Sequence, residues 1–234
     1  MNGEPIVLDH IPFHADRTGL RARLGMTDSD GYSSDLEDLV ARAEQVARPR
    51  AIFRVSFVDQ RSDEEIVIDG VRFASRVLRV NLEPVHRIFP HVVTCGREIQ
   101  EWGERVSDPL AQFWVDTIKE LALRAASEYF LAHVQEEYRI GKSSHMNPGS
   151  IPDWPLPQQK PLFQLLGDVE GKIGVTLTES FLMLPTKSVS GILFPTETRF
   201  ESCQLCPREV CPSRRAVYEP QLFDARYRKN QHHE

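Results

Sequence analysis

The sequence lacks several features that define large classes of protein. No uninterrupted apolar run approaches the length of a membrane span, and the first residues, "MNGEPIVLDHIPFHADR", contain no basic segment followed by an apolar core. Internal repeats and low-complexity tracts are also missing. A formal net charge of -6 argues against wrapping a nucleic-acid backbone. These absences predict a cytoplasmic protein without a nucleic-acid or membrane partner, whose thiols stay reduced.

The chain does have enough apolar residues for a core: 41% of its 234 residues are hydrophobic, which suits one compact unit or a two-lobed domain. Its strand-like and helix-like segments do not alternate regularly, and this favours an α+β fold over a doubly wound parallel sheet. The strand-like segments are "PIVLDHI", "AIFRVSFVDQ", "EEIVIDGVRF", "HVVTC" and the strand-turn-strand stretch "GKIGVTLTESFLMLPTKSVSGILFPTE". The helix-like segments include "SSDLEDLVARAEQVA" and "QQKPLFQLLGD".

Residues 107–141 predict the longest helix. Ser107 or Asp108 can cap its first turn, Pro109 suits the first helical position, and Gly141 is a stop signal. The predicted apolar stripe consists of Leu110, Phe113, Trp114, Ile118, Leu121, Ala125 and Tyr129. We expect this helix to be the spine of the fold.

Three later segments allow both a structural and a functional interpretation. In "VTLTESFLMLP", an extended chain would place Glu179 on an apolar face, whereas a turn starting at Thr178 would make it part of a cap. In "SVSGILFP", Gly191 indicates either a bulge or the close approach of a flat ligand or another backbone. In "HMNPGSIPDWP", Trp154 is either a core residue or a surface for stacking.

These three segments, in this order, resemble the activation (reactivation) domain of cobalamin-dependent methionine synthase, whose hallmarks are PGY, LTES, SVSG and a following aromatic pair. The likeness covers about residues 108–200, including the long helix, and residues 1–100 match more loosely. It implies a C-shaped α+β fold with a twisted antiparallel sheet and long helices. It also implies that S-adenosylmethionine (AdoMet), bound in a shallow groove, donates a methyl group to cobalamin reduced from cob(II)alamin.

The resemblance assigns cofactor-binding positions one by one. The arginine of the family's AdoMet motif falls at His145 and its tyrosine at Ser150, so an arginine's bidentate grip on a carboxylate is missing there. Glu128 lies within one residue of an acidic position of the family, and a solvated helix face is its alternative. The positions expected to bind AdoMet are Glu128, His145, Met146, Asn147, Gly149, Ser150, Glu179, Ser190, Arg199 and Phe200.

The segment "ESCQLCPREVCPSRRAVY" holds three of the four cysteines, Cys203, Cys206 and Cys211, where the resembling domain has an ordinary helix. Thiolates at this spacing bind zinc or an iron-sulfur cluster. Cys95 is either the fourth ligand or a small core residue. The nearby arginines could steady a cluster, contact a corrinoid or keep the tail solvated.

Together these observations predict a stand-alone reactivation protein for a methionine synthase-type methyltransferase, with an iron-sulfur cluster as electron relay. The expected partners are a corrinoid protein that carries the cobalamin and a reductase or ferredoxin-type electron donor. The alternative is a non-catalytic docking module with a zinc-stapled or cluster-stapled tail. Residues 1–100 are expected to form an N-terminal α/β segment of one unit, 101–200 its activation-domain-like core, and 201–234 the cysteine tail.

Overall fold

The structure, a computed structural model, describes residues 3–26, 33–211 and 214–228. The remaining residues of the predicted tail, 212–213 and 229–234, lie outside this description. The strands are β1 (Ile6–Leu8), β2 (Arg50–Phe53), β3 (Ser56–Arg61), β4 (Glu65–Ile68), β5 (Val71–Ala74), β6 (Arg87–Thr94), β7 (Ser143–Met146), β8 (Thr176–Leu177), β9 (Met183–Leu184) and β10 (Ser188–Pro195). The helices are α1 (Arg17–Leu24), α2 (Ser33–Val46), α3 (Arg76–Asn81), α4 (Arg97–Glu104), α5 (Pro109–Glu137), α6 (Gln159–Leu166) and α7 (Val169–Ile173).

β6 is the central strand of an eight-stranded antiparallel sheet, and seven of its eight residues are buried. Along one edge β6 pairs with β2 and β3, from which β1, β4 and β5 extend the sheet. Along its other edge it pairs with β10, and β7 pairs with the far side of β10. The sheet therefore combines strands from both predicted segments, residues 1–100 and 101–200.

Side chains alternate between the two faces of β6, as a strand requires. Phe89 and Val93 face α5, whereas Ile88 and Val92 join a larger cluster around Trp154 that includes residues of α3, α6 and α7. Helices therefore cover both faces of an antiparallel sheet, which confirms the predicted α+β class. None of the helices in the described ranges combines the length and apolarity needed to cross a bilayer.

α5 is the predicted spine, but the stripe predicted for it was partly wrong. Leu110, Phe113 and Tyr129 are exposed by 43%, 58% and 41%. The buried side chains instead recur mostly every four residues: Trp114, Ile118, Ala122, Ala126, Phe130 and Val134. Ala126 clusters with residues of the sheet, whereas Trp114 and Ala122 cluster with residues of α1, α2 and α4, so the choice of face depends on tertiary packing. The helix also ends at Glu137, before Gly141.

Gly191 marks a close approach between β10 and the end of β7. A Cβ atom at this position would lie 2.5 Å from both the carbonyl oxygen of Met146 and Nδ2 of Asn147. Gly191 pairs regularly with His91, so it is not a bulge. Of the interpretations left open by the sequence, the structure shows the close approach of another backbone.

Replacing Gly191 with alanine is therefore expected to destabilise the protein. The contact involves backbone as well as side chain, so overpacking should lower the free energy of unfolding by about 1–3 kcal/mol. Gly141→Ala is the matched control because nothing lies within 4 Å of a Cβ there. Urea unfolding followed by circular dichroism measures both variants. Equal stabilities of the two variants would show that the sheet relaxes around the added methyl group.

Candidate functional site

The candidate site is the outer edge of the sheet, formed by β7, the turn at residues 147–150 and the neighbouring β10; we call it the β7 edge. His145 pairs with Leu193, and Met146 pairs with Ile192. Asn147 Nδ2 donates a hydrogen bond to the carbonyl oxygen of Ser190 at 2.7 Å. The structure thus brings together His145, Met146, Asn147 and Ser190, four of the positions expected to bind AdoMet.

Gly149 and Ser150 extend this edge in a turn fixed by backbone hydrogen bonds. The amide of Gly149, at a φ of 85°, donates to the carbonyl of Trp154 at 2.7 Å. The amide of Ser150 donates to the carbonyl of Asn147 at 3.1 Å. Trp154 itself is fully buried and packs edge-on against Phe73, so it is a core residue and does not stack on a ligand.

Ser190 carries a polar atom that the described structure leaves without a partner. The residue is only 2% exposed, and its Oγ has no hydrogen-bond partner in the described part of the chain. Burying a hydroxyl without a hydrogen bond is unfavourable, so such atoms in native proteins usually meet water or a ligand. The half-buried amide of Asn147 bonds to the backbone carbonyl of Ser190, so the β7 edge has polar groups suited to a nucleoside ligand.

The chain after β10 packs across this edge. The amide of Phe200 donates to Ser144 Oγ at 2.7 Å, and the buried Phe200 ring contacts Tyr227. Glu201 follows, with its side chain only 8% exposed, between two arginines. Arg199 Nη2 lies 2.8 Å from Glu201 Oε1, and Arg215 Nε lies 3.2 Å from Glu201 Oε2. Two cations thus neutralise one buried carboxylate beside β7.

His145 is kept neutral by its surroundings. Burial, followed by the positive charges of Arg215 and Arg199, lowers its pKa to about 4. Arg215 Nη1 lies 2.7 Å from Nε2 of His145, and this geometry suits an unprotonated ring nitrogen that accepts the hydrogen bond. On β6, burial likewise lowers the pKa of His91 to about 4, against the opposing effect of the Phe89 carbonyl. Neither imidazole therefore adds positive charge at neutral pH.

The two acidic positions predicted to bind AdoMet are not brought to the β7 edge. Glu128 lies on α5, is 66% exposed and pairs with Arg124 at 2.9 Å. Glu179 is exposed in the turn between β8 and β9, where Thr178 Oγ1 accepts from the amide of Leu182. Of the two interpretations of this segment, the turn starting at Thr178 agrees with the structure, although it joins strands and does not begin a helix.

The structure also separates Cys95 from the other cysteines. Cys95 is fully buried among α2, α4 and α5, and burial raises the pKa of its thiol to about 12. It follows Thr94, which pairs with Ser188, whereas the cysteine tail approaches the sheet near Phe194. These two ends of β10 lie about 20 Å apart at the usual rise of a strand. The core-residue interpretation of Cys95 therefore agrees with the structure.

Cys203, Cys206 and Cys211 are half-buried free thiols. Their donor chemistry suits zinc or an iron-sulfur cluster. In the described part of the chain, however, no three His, Cys, Asp or Glu side chains are gathered closely enough to hold a metal ion. The arrangement of these thiols as described does not fit a metal site, and binding would require the loop to rearrange.

The fold agrees with comparisons to known proteins. Residues 134–204 match the family model described as vitamin B12 dependent methionine synthase, activation domain. Thirteen chains of solved structures match, among them a crystal structure of the MetH reactivation domain bound to AdoHcy (S-adenosylhomocysteine). That likeness has a TM-score of 0.60 at 18% sequence identity and covers 85% of this chain and 81% of that one. Among curated proteins, none matches this chain.

The chain therefore has an α+β fold similar to that of the reactivation domain. The domain it resembles is the activation, or reactivation, domain of vitamin B12-dependent methionine synthase, which confirms the resemblance predicted from the sequence. The matched segment contains β7 and β10 but ends at Gln204, between Cys203 and Cys206. Most of the cysteine tail therefore lies outside it. Arg215 and the buried Glu201 were not predicted as site residues, and no local sequence pattern signals their pairing.

Proposed function

We propose that this protein binds AdoMet at the β7 edge and supports the reductive methylation of cob(II)alamin carried by a partner protein of the methionine synthase type. The main support is that the family match spans both strands of this edge, residues 143–146 and 188–195. A solved domain with the same fold is described as bound to AdoHcy, the demethylated product of AdoMet. In this reaction AdoMet supplies the methyl group, and cobalamin accepts it after a one-electron reduction.

The residues of the β7 edge would bind and orient AdoMet. Backbone groups at Met146, Gly149 and Ser150 would line its path, and Asn147 and Ser190 would offer hydrogen bonds. Arg199 and Arg215 together carry one more positive charge than Glu201 neutralises, so the edge suits the ligand's carboxylate. The amide of Phe200 would help to hold β7 in position through its hydrogen bond to Ser144 Oγ. Glu128 and Glu179 have no part in this proposal.

We also propose that Cys203, Cys206 and Cys211 hold an iron-sulfur cluster that relays an electron to the partner from a reductase or ferredoxin-type donor. Three thiols within nine residues support this proposal. The potentials of such clusters extend to about -700 mV, low enough for a difficult reduction. Cys95 is not included, because the structure places it at the opposite end of β10.

A second candidate function is a docking module that keeps the fold without using AdoMet. Its motivation is that His145 and Ser150 occupy the positions where the resembling family has an arginine and a tyrosine. Bound zinc together with undetectable AdoMet affinity would favour this candidate.

Calorimetry with AdoMet and AdoHcy tests ligand binding directly, and Ser190→Ala tests the site. Removing the partnerless hydroxyl should weaken binding about fivefold, the effect of one typical hydrogen bond, with little loss of stability. Ser56→Ala is the matched control, because Ser56 Oγ is also buried without a partner but lies on β3. Ser56→Ala should bind like the wild type. Absence of binding by the wild-type protein at millimolar ligand would contradict the proposal.

The metal proposal is tested by anaerobic reconstitution followed by measurement of iron, sulfide and zinc. Changing any one of Cys203, Cys206 or Cys211 to serine should abolish most of the bound iron. Cys95→Ala provides the control, because that thiol is buried in the core and should be dispensable for iron binding. Iron retained by the tail variants but lost in Cys95→Ala would reverse the assignment, and zinc bound in place of iron would rule out the relay.

A further inference from the structure

A cavity separate from the β7 edge lies between α2, α4 and the start of β2, and we call it the arginine cavity. Its volume of about 440 Å³ is within the range of small-molecule sites. The charged residues that line it are Arg42, Arg48, Arg50, Arg105, Glu98 and Glu101. Because β6 and β10 lie between β2 and β7, Arg50 is three strand spacings, about 14 Å, from β7.

The charge of this cavity opposes that of the whole protein. Its four arginines exceed its two glutamates by two positive charges, whereas the formal net charge of the chain is -6. Arg50 is paired with Glu98: its Nη1 lies 3.1 Å from Oε2 and its Nη2 lies 2.5 Å from Oε1. An excess of two cations on one concave surface attracts anions, and a single dianion would balance it.

Close backbone packing holds Arg48 in place at the wall of the cavity. A Cβ atom at Gly96, where φ is 98°, would overlap the carbonyl oxygen of Arg48, so the chain after α2 lies directly against the start of α4. Arg48 Nη1 also donates to the carbonyls of Gln45 and Ala47 at 2.9 and 2.7 Å. A donor that is positioned before the ligand arrives loses less entropy on binding.

Three of the arginines keep donors available for a ligand. Arg105 follows α4 and is exposed, and its guanidinium has no hydrogen bond or ion pair with any residue that the structure describes. Arg42 is also exposed, and of its side-chain nitrogens only Nη1 has a described partner, Oε1 of Gln45 at 3.2 Å. In Arg48, Nη2 is unengaged within the same ranges.

Trp102 gives the arginine cavity an apolar wall. The residue is half-buried and packs against the apolar cluster of α2, α4 and α5, while also lining the cavity. An indole ring fixed in this way offers a flat surface on which an aromatic base can stack.

We propose that the arginine cavity binds a mononucleotide-class ligand, that is, a phosphate monoester joined to an aromatic base. Above its second pKa of about 6, a phosphate monoester is a dianion with three acceptor oxygens. This charge matches the two excess cations, and guanidinium groups bind such oxygens in pairs. The base lies against Trp102. The site goes beyond the proposed function and does not depend on AdoMet binding at the β7 edge.

Calorimetry with AMP, GMP, adenosine, guanosine and inorganic phosphate tests the site. A mononucleotide should bind more tightly than inorganic phosphate and at least tenfold more tightly than its nucleoside. Arg105→Gln should weaken mononucleotide binding at least tenfold, the usual effect of losing a hydrogen bond to a charged group. Arg97→Gln is the matched control, because Arg97 belongs to the same helix but donates to the carbonyl of Gly174 outside the cavity. This control should bind like the wild type.

Trp102→Leu tests the contact with the base. It should weaken mononucleotide binding about fivefold and leave inorganic phosphate binding unchanged, because only the stacked base is affected. Unchanged mononucleotide affinity in this variant would contradict the assigned class of ligand. Thermal unfolding verifies that each variant is folded, and Arg105→Gln decides the matter if Trp102→Leu is not.

The outcomes separate this inference from the proposed function. If neither AMP nor GMP binds at millimolar concentration, or if Arg105→Gln and Arg97→Gln weaken binding equally, the inference is overturned. AMP shares its adenosine with AdoMet, so saturating AdoHcy and Ser190→Ala identify the site, and both should leave mononucleotide binding unchanged. Displacement of the mononucleotide by AdoHcy would also overturn the inference. Failure of AdoHcy to bind, with mononucleotide binding intact, would contradict the proposed function alone.

Discussion

The position of β10 between β6 and β7 is the constraint on which the rest of the molecule depends. At Gly191 the backbone of Met146 comes so close that no side chain fits, and Asn147 bonds to the carbonyl of the preceding Ser190. This approach aligns the turn at residues 147–150 with β10, on which Ser190 Oγ is buried without a partner among the described residues. The same strand carries the backbone on to Phe200 and Glu201, so the sheet determines where the tail can pack.

A buried carboxylate then determines how the tail packs. Glu201 is tolerated beside β7 because Arg199 and Arg215 both contact it, and a buried charge without such partners would be costly. One of these arginines comes from the cysteine tail. The resemblance implies an arginine at position 145, whereas here β7 contributes His145 and the tail brings the guanidinium of Arg215 to that histidine. An arginine thus reaches the same edge from a different part of the chain.

Local patterns in the sequence predicted most of the strands and the long helix, because alternation, capping residues and glycine positions act over short distances. They did not predict α3, a six-residue helix capped by Ser75, which is too short to show a period. They included Leu110 and Phe113 in the buried stripe of α5, although both are exposed, because the side of the helix that is buried there is decided by the packing of Trp114 among α1, α2 and α4. Of the positions expected to bind AdoMet, the structure brings together those within residues 145–150 and Ser190 on the paired strand, and their role in binding stays a prediction. The contact of Arg215 with His145 and the separation of Cys95 from the tail were not predicted. Both involve distant segments of the chain and depend on the order of the strands.

The central claim is that the β7 edge binds AdoMet through residues of β7, its turn and β10. A crystal structure of the protein with AdoHcy at saturating concentration tests it most directly. We expect ligand density along residues 145–150, with a polar atom of the nucleoside near Ser190 Oγ and the carboxylate at Arg215. Ligand density at any other surface, or an empty β7 edge in crystals where that edge is free of lattice contacts, would contradict the account.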